Sequence, residues 1–129
     1  LTGSVTHFEI YAEELATLAK FHRRLLGWKI ERAPGLDYWR IETEAAPAGR
    51  VAGGLTYRPV AGTRGWVHYV HVNSLDDVVA EAEQLGAVVL RPKTAAPEMA
   101  WYAVLVDPEG NIFAIYQTDV AAFPPPEQN

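Results

Sequence analysis

The feature that most constrains this chain is an internal repetition. "LLGWKI" at Leu25–Ile30 returns as "QLGAVV" at Gln84–Val89, and "PAGRVAGGL" at Pro47–Leu55 returns as "PEGNIFAIY" at Pro108–Tyr116. A spacing of roughly 60 residues is longer than most solenoid repeats, so it reads as one duplication of a supersecondary unit. Whatever one half folds into, the other half must fold into as well.

Each half carries the same order of signals. Val5–Tyr11, "VTHFEIY", is rich in β-branched and aromatic residues and reads as a strand. "AEELATLAKFHRRLLG" follows, with Leu15, Leu18, Ala19, His22 and Leu25 at helical spacing and Gly27 as a stop. "GWKIERA", "DYWRIETE" and "RVAGGLTYRP" are three short strands, separated by the turn chemistry of "PGL" and "AAPAG". The second half gives the strand "WVHYVHV" and the helix "NSLDDVVAEAEQLG", with Ser74 as cap and Asp77 three residues on. The strands "AVVLRPK", "MAWYAVLVD" and "NIFAIYQTD" complete it. The pattern is β-α-β-β-β twice: a single domain over 1–120, with repeats at about 4–60 and 64–120. The proline-rich "AAFPPPEQN" at 121–129 is expected to be a loose tail.

Composition removes several function classes. With 129 residues the chain is long enough for a real core. It has no cysteine, so disulfides, thiolate metal sites and a cysteine nucleophile are excluded. A net charge of −5 with no Lys/Arg cluster argues against nucleic acid and suits a neutral or cationic ligand. No apolar run approaches the ~18 residues of a membrane span, and "LTGSVTHFEI" lacks the basic end and apolar core of a signal peptide. A cytoplasmic protein is the expectation. Ser4 and Ser74 are the only serines, and "GRVAGG" lacks the spacing and lysine of a phosphate loop.

The paired modules, "LLGWKI" after the first helix and "DPEGN" before the last strand resemble the vicinal oxygen chelate superfamily, which includes glyoxalases, bleomycin-resistance proteins and extradiol dioxygenases. The resemblance covers roughly residues 4–119. It implies an α+β fold in which two βαβββ modules form a curved, eight-stranded mixed sheet around a cleft, with the helices on the outer face. It also implies a homodimer. Strand alternation would then turn Val5, His7 and Glu9 toward the cleft, and Thr6, Phe8 and Ile10 toward the helix. Val67, Tyr69 and His71 would face the cleft on the counterpart strand, and Ile112, Ala114 and Tyr116 on the last strand.

Metal enzymes of this superfamily draw two ligands from each repeat, usually His on the opening strand and Glu on the closing strand. Mapped onto this chain, "HFEIYA" puts His7 at one such position. Val67, Ala114 and Gly54 (Gly53 in the alternative register) stand at the other three, and none can bind a metal through its side chain. His68 and His71, three apart on a strand, face opposite sides. The expectation is no metal and no cofactor, with His7, Glu9 and His71 as candidate acid–base residues. Trp39, Tyr69, Trp101 and Tyr116 are candidate ligand-binding aromatics, able to give apolar area and a polar tip.

Three readings follow. The first is a metal-independent protein of the glyoxalase/bleomycin-resistance type, holding a small molecule in an aromatic cleft. The second is a lyase- or isomerase-type enzyme using His7, Glu9 or His71, without a metal or with one in a displaced site. The third is a dimerisation module with no ligand.

Overall fold

The computed structural model describes residues 2–43, 52–59 and 63–124. Its elements are β1 (Gly3–Tyr11), α1 (Leu15–Leu26), β2 (Lys29–Arg32), β3 (Tyr38–Glu42), β4 (Ala52–Thr56), β5 (Gly65–Val72), α2 (Leu75–Gln84), β6 (Val88–Ala96), β7 (Ala100–Val106) and β8 (Ile112–Thr118). The order is β-α-β-β-β twice, as the repetition implied, and the strands are of mixed direction, giving the α+β class that the resemblance implied. Two compact units emerge: Val5–His68, and Leu1–Ser4 with Tyr69–Asn129. Their boundaries fall inside β1 and β5.

In the first unit β2 and β3 pair antiparallel, β3 and β4 antiparallel, and β4 and β1 parallel. One face of this sheet is apolar and carries α1. Phe8, Ile10, Ile30, Ile41 and Leu55 pack there with Leu15 and Ala19 of the helix, and Leu18, Trp28 and Trp39 close around them. The expected inward turn of Phe8 and Ile10 is thus observed. Leu25 is a correction: it is 65% exposed, because ten residues after Leu15 it has drifted to the edge of the apolar stripe. His22, by contrast, is buried more deeply than a half-exposed amphipathic position, with its ring stacked 5.3 Å from that of Trp28. Gly27 ends α1 in the left-handed conformation (φ 68°) and donates to the carbonyl of Arg23. The Arg23 guanidinium in turn donates to the carbonyl of Ile30, tying the helix exit to β2.

In the second unit β5 and β8 run parallel, while β8, β7 and β6 pair antiparallel. Val72, Leu75, Ala103, Leu105 and Ile115 form its core, joined by Val70, Val78, Val79, Ala82 and Phe113. The start of α2 is satisfied twice: Ser74 Oγ accepts from the Asp77 amide at 3.3 Å, and the Gln117 side chain of β8 accepts from the Leu75 amide at 2.8 Å. β6 runs on to Ala96, beyond the expected Lys93, but its ladder with β7 shifts register on both sides of Arg91. Pro92 has no N–H to give that ladder. At the Asp107–Asn111 turn, Asp107 Oδ1 accepts from the amides of Glu109 and Asn111, both at 2.9 Å. Those bonds hold its carboxyl below the usual carboxylate range.

The expected loose tail begins as an anchored segment. Ala122 is fully buried, and its carbonyl accepts from the Glu98 amide at 2.9 Å. Residues 125–129 lie outside the described residues. Among the described residues no helix is long and apolar enough to cross a membrane.

Leu105, with no exposed surface, reports on the second core. Leu105→Ala is expected to lower unfolding free energy by about 2–5 kcal/mol, read from urea denaturation midpoints, since both transfer energy and a cavity are involved.

Candidate functional site

Because β1 gives Phe8 and Ile10 to the core, alternation sends His7 and Glu9 to the opposite face. β4 lies beside it in parallel, with His7 opposite Ala52 and Glu9 opposite Gly54. The two glycines of β4 then separate cleanly. A Cβ on Gly53 would strike the Phe8 ring on the helix side, whereas a Cβ on Gly54 would overlap the Tyr38 hydroxyl on the His7 side. Gly54 is therefore the residue that shares the face of His7 and Glu9.

Tyr38 reaches this place from β3. Its neighbour Trp39 is opposite Leu55 and packs on the α1 side, so Tyr38 points the other way. The hydroxyl crosses over the bare backbone of Gly54 and lies 2.9 Å from His7 Nε2. It also hydrogen-bonds Glu9. Tyr11 donates its own hydroxyl to Glu9 Oε1 at 3.1 Å, and His7 Nε2 is 3.9 Å from Glu9 Oε2. One carboxylate, two phenols and an imidazole thus form a single hydrogen-bonded group.

The proton positions follow from the inventory of donors. An ionised carboxylate only accepts, so the single hydrogen of Tyr38 goes to Glu9. The bond between Tyr38 and His7 then needs the imidazole as donor, which puts the His7 proton on Nε2 and makes Nδ1 the acceptor nitrogen. Burial drives the Tyr38 phenol far above its ordinary range, and the charge and hydrogen bond of Glu9 push the same way; Arg40 pulls against them. Burial lowers the His7 imidazole below its ordinary value, with the Glu9 charge opposing. Near neutral pH the site holds a neutral imidazole and a protonated phenol.

The other candidates divide by face. In the second unit Tyr69, His71 and Tyr116 come together: the Tyr116 ring is 6.4 Å from that of Tyr69 and 5.2 Å from that of His71. Ala114, fully buried, stands opposite Tyr69 in the β5–β8 ladder. The two tryptophans turn to the helix sides instead. Trp39 lies under the Arg23 guanidinium, at 5.4 Å, against the first core. Trp101 packs against the second core and donates its indole N–H to Asp119 at 3.1 Å. In each case a one-residue choice of register decides the face, and the neighbouring tyrosine, Tyr38 or Tyr102, takes the other side. Trp66 likewise stacks on Phe8, 5.5 Å between centroids.

The residue that sequence reasoning missed is Tyr38. The signal was present in "GGL": a glycine inside a strand often marks the close approach of another group.

The metal implied by the superfamily does not fit these residues. His7 Nε2 is engaged by a phenol, the space above Gly54 is filled by that same phenol, Val67 is 2% exposed and apolar, and Ala114 offers no donor. Among the described residues no group of three His, Cys, Asp or Glu side chains could hold a metal ion.

The His7 imidazole supplies a direct test of these electrostatics. Its NMR titration midpoint is expected below the ordinary 6.5, and Glu9→Gln, which removes the charge favouring imidazolium, should lower it further. The unfolded chain then binds more protons at His7 than the folded one, so this group diminishes stability as pH falls below about 6.5. A midpoint raised by Glu9→Gln would contradict the arrangement.

Comparison with known proteins agrees with the fold. A protein-family model described as a glyoxalase-like domain matches residues 7–116. Among solved structures the chain is similar to a hypothetical protein of Bacillus halodurans C-125 (14% identity, TM-score 0.60, 100% of each chain covered). It is also similar to a glyoxalase/bleomycin resistance protein/dioxygenase superfamily member of Vibrio splendidus 12B01 (16% identity, TM-score 0.58, 92% of this chain and 100% of that one). A methylmalonyl-CoA epimerase of Streptomyces coelicolor is a third similar structure (14% identity, TM-score 0.59, 94% and 98% covered). A search of curated protein sequences finds no match. With the family model spanning most of its length, the chain belongs to the glyoxalase-like domain family of the vicinal oxygen chelate superfamily.

Proposed function

We propose that this chain is a metal-independent small-molecule-binding protein of the glyoxalase-like type, with its ligand held against the face of β1 and β3 that carries His7, Tyr38 and Glu9. The observation that carries the reading is the Tyr38 hydroxyl, which lies where a side chain at Gly54 would stand and engages His7 Nε2. The Tyr38 hydrogen can turn from Glu9 to a ligand carbonyl or hydroxyl while the phenol oxygen still accepts from His7, so the pair engages a ligand oxygen without a Lewis acid. Partial exposure leaves a route to it: the His7 side chain is 28% exposed and that of Glu9 13%.

One observation favours a second reading, an enzyme that moves protons. A neutral imidazole, basic at Nδ1, joined to a protonated phenol puts a base and an acid in one hydrogen-bonded group, the components needed to remove and return a proton beside a carbonyl. The likeness to an epimerase fold is in keeping with this.

The test is thermal-shift screening of a carbonyl- and hydroxyl-bearing metabolite library against the protein, before and after chelation, followed by titration of the hits. Binding should survive chelation and fall at least about tenfold in Tyr38→Phe and His7→Ala, the loss of a hydrogen bond in a part-buried site. Binding or turnover that disappears on chelation and returns with a divalent ion would sink the proposal. Deuterium exchange from solvent into a bound ligand, abolished by His7→Ala, would favour the enzyme.

A further inference from the structure

Resting on that reading of the site, we infer that Arg40 is its anion anchor, and that the ligand is a small organic carboxylate whose carbonyl or hydroxyl oxygen meets the Tyr38–His7 pair.

Alternation along β3 puts Arg40 on the same face as Tyr38, two residues on, since Trp39 and Ile41 both turn to the core. Arg40 is exposed, and its charge is felt by the Tyr38 phenol, opposing the rise that burial and Glu9 impose. Among the described residues its guanidinium makes no ion pair or hydrogen bond, while its backbone pairs with Glu31 and Gly54 in the ladders. Arg23, Arg32, Arg58 and Arg91, by contrast, are tied to Ile30, Asp37, Glu13 and Thr94 respectively.

The carboxylates that could neutralise it are otherwise disposed. Glu31 stands across the β2–β3 ladder from Arg40 but pairs with Lys29 at 3.8 Å. Glu42, two residues further on, lies opposite that same Lys29. On the remaining side Arg40 is opposite Gly54, which has no side chain. In the direction of His7 the guanidinium is thus bordered by Tyr38, whose hydroxyl covers the bare backbone of Gly54.

The charge of the ligand follows. Glu9 is occupied by two phenolic donors, and the imidazole is neutral, so neither offers a counter-charge. Arg40 remains as the charge-bearing group beside the pair, and a guanidinium prefers the planar, two-oxygen geometry of a carboxylate. Although the chain as a whole is at −5, this local arrangement selects an anion. Two strand residues on one face are about 7 Å apart, so a carboxylate at Arg40 and an oxygen at Tyr38 are separated by a few bonds.

The experiment is NMR chemical-shift titration of the protein with pyruvate, levulinate and 5-oxohexanoate, each beside its neutral methyl ester. A keto acid should perturb the β3 amides saturably, and its ester should bind at least about tenfold more weakly. Arg40→Gln should weaken the acid to the level of the ester, with Arg40→Lys intermediate, while the melting curve is unchanged because Arg40 is exposed. Equal binding of acid and ester, or indifference to Arg40→Gln, overturns the anchor and leaves the Tyr38–His7 reading standing. Acid binding that needs Arg40 yet ignores His7→Ala and Tyr38→Phe overturns that reading, and with it the shared site. Failure of every keto acid to saturate overturns the inference.

Discussion

The arrangement of the first unit depends on one close approach, that of the Tyr38 hydroxyl to the backbone of Gly54. Without a Cβ at position 54, β4 can lie between β1 and β3 and still let a phenol cross it. The hydrogen-bonded group of His7, Glu9 and Tyr11 is organised by that crossing. Tyr38 receives from His7 and donates to Glu9, and Glu9 also receives from Tyr11. A buried carboxylate with no donors would cost several kcal/mol; with two phenols directed at it, the charge is held by hydrogen bonds rather than by a cation.

The same crossing ties structure to chemistry. In a superfamily whose metal enzymes polarise oxygen with a Lewis acid, this chain presents a phenol and an imidazole in contact. Such a pair binds by direction as much as by charge, because the phenol has a single hydrogen to give. The second unit repeats the scaffold but not the polar group: its corresponding face brings together Tyr69, His71 and Tyr116, with the small Ala114 buried beside them. Duplication preserved the backbone plan, and the two copies diverged in what they display on it.

Much of this was legible in the sequence. Repetition, turn chemistry and helix stop signals gave the order of elements, and period-two alternation placed Phe8, Ile10, His7 and Glu9 on their correct faces. Two adjacent aromatics in each of "DYWRIE" and "MAWYAV" defeated the same method, because alternation says that neighbours differ without saying which one faces the core. Trp39 and Trp101 went to the helix sides since the larger ring has more apolar area to bury. The role of Tyr38 was illegible for a different reason. It depends on a cross-strand neighbour, and pairing partners are set by tertiary register, which a single strand's pattern does not contain. Leu25 failed through geometry: a period of 3.6 carries a stripe's last member away from its first.

Gly54 also bears on how such a chain can change. To install a ligating side chain at position 54, a substitution must place a Cβ inside the volume of the Tyr38 hydroxyl. To vacate that volume, Tyr38 must turn away or be replaced, leaving His7 Nε2 and Glu9 each without that partner. Each step alone removes something before it adds anything, so the two positions are epistatic. A ligating side chain at position 54 and the present Tyr38–His7 contact therefore exclude each other on this face.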